Sequence, residues 1–399
     1  MEILFISSLV SKSLVDKLFR ETGKNVGFEI QKFHRLLVRG FVKNGIIVKT
    51  LTGLPISRSL SNKLWWNLPN ESEDGVNYQY ISFVNYPVLR HIFLFLYSFF
   101  YTLLWGIKGR KDKCIVCDVL NISLCMGSLL ASKLIGLRSV GVMTDMPGLM
   151  VSKASNVKCE GLRIIPRINK SFLTSFSYYV FLTEQMNEVV NRKHQPYIVM
   201  EGLVDELMAY TTLVNVNRGD DRRVLLYAGG LHERYGLKKL VEAFMRVDAA
   251  DVQLSLYGDG PFVEDLKHYC AQDSRIVYYG VVPNDEVVQA ELLATLLINP
   301  RPTDEEFTKY SFPSKNMEYM VSGTPVLTTK LPGMPKEYYS YIYLFEDETV
   351  EGYTKAMNHI LSLPKEELCI KGADAKRFVL ECKSNVSQAK RIIDMLSIL

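Results

Sequence analysis

Tyr310-Ser-Phe-Pro-Ser-Lys-Asn-Met-Glu318, continued by Tyr-Met-Val-Ser-Gly323-Thr-Pro-Val-Leu327, reads as a loop, a helix and a strand in succession. Pro313 suits the first helical turn, where its missing N–H would have no partner in any case. The amides of that turn and the positive end of the helix dipole form an anion site. Lys315 adds a full charge to it, with Ser314 beside it. Glu318 follows about one turn later, so it faces the same ligand. Gly323-Thr-Pro325 ends the helix and starts the strand Val326-Leu327. This suits a nucleotide diphosphate, with the acid on ribose hydroxyls. A capped helix whose Lys and Glu are simply solvated fits the motif equally well.

The same rhythm extends through the second half of the chain. Val224–Ala228 reads as a strand opening into Gly229-Gly230, followed by helix Leu237–Met245, strand Val252–Tyr257 and the turn Gly258-Asp-Gly260. Helix Phe262–Cys270, strand Ile276–Tyr279, helix Asp285–Thr295 and strand Leu296–Asn299 continue it. A glycine pair at a strand's carboxyl end lets backbone amides approach a phosphate, and Arg234 is near enough to join. The first half alternates likewise: strands Ile3–Ile6, Ile46–Leu51, Tyr80–Val84, Cys114–Leu120, Ser139–Met143 and Tyr178–Leu182, with helices at Gln31–Lys43, Ser123–Ile135 and near Met186. Such alternation predicts parallel sheets covered by helices on both faces. Glu201–Arg223 breaks it with a polar run, which places a linker at 201–222 between domains 1–200 and 223–383.

Composition sets the outer limits. At 399 residues the chain is long for one core. Its 48% apolar and 23% charged residues are those of a soluble globular protein. Met1–Val10 lacks a basic n-region and reads as a buried strand, so a cytoplasmic setting is expected. Seven scattered cysteines agree with a reducing compartment. Cys114-Ile-Val-Cys117 has metal or redox spacing but no second pair, and it reads as core. Residues 1–200 carry 25 Lys and Arg against 13 Asp and Glu, a net +12, whereas the rest carries −8. A basic half suggests an anionic membrane surface as partner; without a recognition motif, nucleic acid is not expected. Ile92–Ile107 is apolar, uncharged and aromatic, followed by Lys108, Arg110, Lys111 and Lys113. It reads as a buried or partly buried domain helix, or as an interfacial helix with its lysines on lipid headgroups; a transmembrane span is the least expected reading.

Taken together, these segments resemble the family 4 retaining glycosyltransferases, in the branch found in bacterial polysaccharide assembly. The resemblance covers nearly all of residues 224–330. It rests on Val224–Gly236, Leu256-Tyr-Gly-Asp-Gly-Pro261, Val277-Tyr-Tyr-Gly280-Val-Val, Tyr310–Glu318 and Gly323–Leu327. It implies the GT-B fold: two doubly wound, Rossmann-like α/β domains facing across a cleft, an acceptor-binding one and a donor-binding one. It also implies a closing helix, about 384–399, packed back on the first. The implied reaction moves a sugar from a nucleotide donor, UDP by family frequency, to a glycan or lipid-linked acceptor with retention of configuration. Implied donor-binding residues are Gly27, Gly229, Gly230, Arg234, Val281, Val282, Tyr310, Ser314, Lys315 and Glu318.

The chemical demand is stabilisation of a departing diphosphate. Arg234, Lys315 and helix amides would meet it without a metal cofactor, at about 3 kcal/mol per well-placed donor. Asp145, in Met143-Thr-Asp145-Met-Pro147, is the catalytic candidate of the first domain, facing the acceptor hydroxyl or the transferred sugar; an Asp capping the turn before Pro147 fits as well. The long connection over Ser7–Ile30 is expected to contact the acceptor, and His34 and Arg35 beyond it are read as surface residues. The family's first glutamate would fall at Tyr310, with Glu305 and Glu306 as the nearest acids. That departure keeps one alternative open, a catalytically weak binding or scaffold subunit; a nucleotide-sugar epimerase on the same architecture is another.

Overall fold

All six residues of the first strand, β1 (Glu2–Ser7), are buried, as a parallel strand covered on both faces requires. The computed structural model describes residues 1–22, 28–109, 112–146, 171–210 and 222–397. The chain divides into two units, Met1–Leu203 with Asn385–Leu399, and Val204–Ser384.

In the first unit β1 leads to helices α1 (Lys12–Thr22) and α2 (Phe28–Lys43) and then to β2 (Ile47–Thr52). Four short strands follow: β3 (Trp65–Trp66), β4 (Glu71–Glu73), β5 (Val76–Tyr80) and β6 (Phe83–Val84). Helix α3 (Pro87–Ile107), β7 (Lys113–Asp118), α4 (Ile122–Leu134), β8 (Arg138–Met143), β9 (Tyr178–Phe181), α5 (Glu184–Val190) and β10 (Tyr197–Val199) continue the unit. Among the described residues its main sheet runs β10-β9-β8-β7-β1-β2-β5-β4. Pairing is parallel except for β4, which runs against β5.

The second unit holds β11 (Arg223–Ala228), α6 (Leu237–Phe244), β12 (Val252–Tyr257), α7 (Val263–Gln272), β13 (Ile276–Gly280) and α8 (Asn284–Leu293). Next come β14 (Leu296–Asn299), α9 (Ser314–Ser322), β15 (Val326–Thr329), β16 (Tyr343–Phe345), α10 (Val350–Ser362) and α11 (Lys365–Cys382). Its sheet runs β13-β12-β11-β14-β15-β16 and is parallel throughout. Helix α12 (Asn385–Ser397) belongs to the first unit, where Ala389, Ile392 and Leu396 share a core with Ile3, Phe5 and Leu37. Both sheets are therefore doubly wound. Their strand order reverses between β1 and β7 in one and between β11 and β14 in the other, and such switch points leave a crevice at the strands' carboxyl ends.

Four local readings change. The connection Ser7–Ile30 is not a continuous loop, because α1 forms within it. Ser11 Oγ accepts the Leu14 amide at 3.1 Å as an N-cap, and Leu14, Val15 and Leu18 fill the core beneath. Tyr80–Val84 is not one strand: β5 ends at Tyr80, and the chain turns so that Phe83 pairs with Trp66 of β3. His34 is not a surface residue but fully buried, with its ring edge-on to Phe5 and Phe33. The helix expected from Ile92 begins at Pro87 and is partly buried, with one of its faces exposed. Cys114 and Cys117 lie in the core.

Candidate functional site

The glycine turn after β11 is stitched to its neighbours through backbone alone. The Gly229 amide donates to Tyr257 O at 2.9 Å, the Gly258 amide to Gly280 O at 2.8 Å, and the Leu231 amide to Asp259 O at 2.8 Å. The loops following β11, β12 and β13 thus form one continuous floor. Gly229 has φ +151° and Gly258 φ +124°, conformations that side-chain-bearing residues rarely adopt. At Gly258 space forbids a side chain too, and at Gly229 one would have to displace Lys315. A Cβ on Gly258 would lie 1.9 Å from the Gly229 carbonyl oxygen. One on Gly229 would lie 2.0 Å from Lys315 Cε and 2.2 Å from its Nζ. Lys315 therefore lays its amine directly across the glycine turn.

Helix α9 supplies that lysine. Pro313 occupies the N-cap position, one residue before the first turn in which it was expected. The helix starts at Ser314, and the Pro313 carbonyl takes the Asn316 amide at 3.0 Å. Pro313 brings no side-chain acceptor to this end, so the positive pole of the dipole stays available to an anion. Ser314 is exposed, while Lys315 and Glu318 are half-buried on the same helix.

Two buried contacts fix α9 against the sheet. Tyr319 Oη accepts the Ala228 amide at 2.8 Å and donates to the Ala228 carbonyl at 3.3 Å. Burial, reinforced by Glu291, pushes this hydroxyl's pKa well up, so it stays protonated. Asn299 Nδ2, at the end of β14, donates to Asn316 Oδ1 at 2.7 Å. These anchors lie at the β11/β14 switch point, and the sequence assigned none of them that role. Their only signal was polar or hydroxylated side chains on an otherwise apolar helix face.

Cations gather around two aromatic rings nearby. The Arg234 guanidinium lies 5.2 Å from the centre of the Tyr235 ring and 6.0 Å from that of Phe307. Arg301 lies 4.7 and 5.5 Å from the same rings. Its charge also reaches Tyr227, partly opposing the upward shift that burial gives that phenol. Tyr227 in turn donates to Gly230 O at 2.9 Å, bracing the turn. Arg301 was absent from the residues expected from sequence, although its place just beyond β14, at a strand's carboxyl end, was the clue. Tyr310 joins this group through its amide, which donates to Phe307 O at 3.0 Å.

The remaining candidates separate. Val281 (75% exposed) and half-buried Val282 follow β13. Glu305 and Glu306 are exposed. Asp145 is half-buried, two residues beyond β8 in the first unit. Gly27 and Pro147 lie outside the described residues. At the first unit's own switch point, Asp118 ends β7, fully buried 3.6 Å from His34 Nε2. Burial pushes this carboxyl up, opposed by His34, and pushes the imidazole down, opposed by Asp118.

Residues 222–362 match the family model for glycosyl transferases group 1. No curated protein sequence matches the chain. Among solved structures, the chain is similar to the lipopolysaccharide outer core galactosyltransferase WaaB in its apo form, at 17% identity over 100% of both chains with a TM-score of 0.63. It is similar to Anabaena Alr3699/HepE in complex with UDP, at 13% identity over 100% of both and a TM-score of 0.63. A glycosyltransferase from Rickettsia africae ESF-5 matches at 12% identity, 99% and 97% coverage and a TM-score of 0.65. At such identities it is the fold that is shared, and that fold is GT-B. The match over the second unit supports a glycosyltransferase.

Proposed function

We propose that the protein moves a glycosyl group from a nucleotide-diphosphate sugar, with UDP as the nucleotide, to a glycan or lipid-linked acceptor with retention of configuration. The observation that carries this reading is the Lys315 amine laid across Gly229 at the start of α9. A diphosphate held there meets a full charge, a helix dipole and a glycine floor together. Arg301 and Arg234 extend the positive field toward the leaving group, which serves its departure without a metal. Glu318 takes the ribose hydroxyls, the backbone at Val281–Val282 meets the base, and Asp145 serves the acceptor side. The Anabaena HepE structures in complex with UDP and with UDP-glucose agree with this choice of donor. The setting we favour is cell-surface polysaccharide assembly at the cytoplasmic side.

Titration of the purified chain with UDP tests the assignment. Lys315→Ala is expected to weaken binding tenfold or more, the loss of one charge-assisted phosphate contact; unchanged affinity would overturn it. Tyr310, standing where the family places a glutamate, favours one second reading, a donor-binding subunit with little turnover. UDP release from UDP-sugars in the presence of oligosaccharide acceptors separates the two. Tight UDP binding with no turnover on any sugar selects the subunit.

A further inference from the structure

Helix α3 is built the wrong way round for a soluble domain. Its buried positions are Leu94, Ser98, Thr102 and Trp105, so two of the four are hydroxyl residues. Its exposed positions include Val88, Leu89, Ile92, Phe93, Leu96, Phe100, Leu104 and Ile107, an apolar stripe at helical spacing. The most apolar eighteen-residue window has a mean hydropathy of 1.5, yet only 22% of it is buried. A core helix of this composition would be covered.

The protein-facing side explains how this arrangement is held. Thr102 Oγ1 donates to Ser128 Oγ at 3.0 Å, joining α3 to α4. A Cβ at Gly127 would lie 2.2 Å from Phe95 O, so the two helices meet almost backbone to backbone. Small and hydroxylated residues where α3 meets α4, with large apolar ones on the outer face, is the packing of helices whose surroundings are as apolar as their interior. Leu130 and Leu134 of α4 are exposed too. At the amino end of α3, Leu64, Trp65 and Tyr86 are exposed; β3, which contains Trp65, pairs with β6, the strand leading into the helix.

We propose that α3 docks this unit on a lipid bilayer, lying in the plane of the interface with its Leu, Ile and Phe side chains below the headgroups. The helix is roughly 30 Å long, but its two ends run into β6 and β7 of one unit, which keeps it alongside that unit and rules out a span. A lipid surface fits better than a protein partner because the exposed positions from Ile92 to Ile107 carry no charge, whereas protein interfaces mix apolar and polar area. Trp65 and Tyr86 suit the headgroup level. The net charge of +12 over residues 1–200 suits anionic lipid. Lys113 is not one of the lipid-facing lysines: its amine donates to the Trp105 carbonyl at 2.5 Å and to the Lys108 carbonyl, closing the helix end. Insertion is therefore apolar first and electrostatic second.

The test is flotation of the full chain with vesicles of phosphatidylcholine and phosphatidylglycerol. The wild type should float and stay bound when salt is raised, since screening removes only the charge contribution. The variant Leu96→Gln/Phe100→Gln/Leu104→Gln should lose at least about tenfold in partitioning at an unchanged melting temperature. Should the triple variant melt early, Leu104→Gln alone, at a position 68% exposed, is expected to weaken binding measurably while melting normally. A wild type that does not float, that salt alone releases, or that floats as well after these substitutions would overturn the proposal. So would a wild-type dimer that the triple variant converts to monomer, which assigns the face to a second copy instead.

Discussion

Gly229 carries two constraints in one residue: a backbone angle foreign to side-chain-bearing residues and a Cβ position already filled by the Lys315 amine. Gly229→Ala should therefore do more than strain the turn. It should expel Lys315, lowering UDP affinity at least tenfold in a titration, and destabilise the fold by about 1–3 kcal/mol in denaturant melts. Both Gly229 and Lys315 were legible in the sequence because turn glycines and helix starts are local signals. Arg301 and Tyr319 were not, since their roles come from neighbours 66 and 91 positions away, Tyr235 and Ala228. Tyr310 was legible only as an irregularity against a resemblance. The structure gives it an amide contact to Phe307 O and a half-buried side chain.

Helix α9 shows how an element is aimed. Gly323 ends it in the left-handed conformation at φ +85°, as the Gly-Thr-Pro signal predicted. What aims its other end is the tether from Tyr319 to Ala228, the last residue before the glycine turn. Tyr319→Phe keeps the ring's packing and leaves the buried Ala228 amide without that partner. The expected cost is ~1–3 kcal/mol of stability, with weaker UDP binding as helix and turn lose their fixed spacing. Denaturant melts and titration on one preparation measure both. A variant as stable as the parent would show that the tether is dispensable. Regular elements with long apolar runs were read from sequence to within a few residues. Helix α1 was not, because its short apolar set is scattered among Lys12, Asp16, Lys17 and Arg20, and its N-cap serine looked like loop.

At the scale of the molecule, the first unit is cross-braced by one buried acid. Glu2 of β1 accepts from Trp105 Nε1 of α3 at 3.2 Å and pairs with Lys49 of β2 at 3.0 Å. Burial pushes its carboxyl up, but the Lys49 and Trp105 hydrogen bonds outweigh this and hold it below its ordinary 4.5. A depressed acid contributes stability above its unfolded pKa and loses it as pH falls through the folded one. Thermal melts should thus decline as pH drops below about 4.5. Glu2→Gln should melt lower at neutral pH and decline less steeply; an identical profile would remove Glu2 from the account.

The first unit is also written in two pieces. Its core needs Ala389, Ile392 and Leu396, which are translated only after the whole of Val204–Ser384. Gly40 on α2 has its Cβ position filled by the Asn385 carbonyl, 2.1 Å away, so the seat for that late segment is cut to backbone closeness. During synthesis at about 5–20 residues per second, the seat stays open for roughly 10–40 s. A newborn chain therefore spends that interval with a greasy groove on an otherwise formed sheet. That makes this groove, rather than the proposed nucleotide site, the place where a chaperone would first be needed.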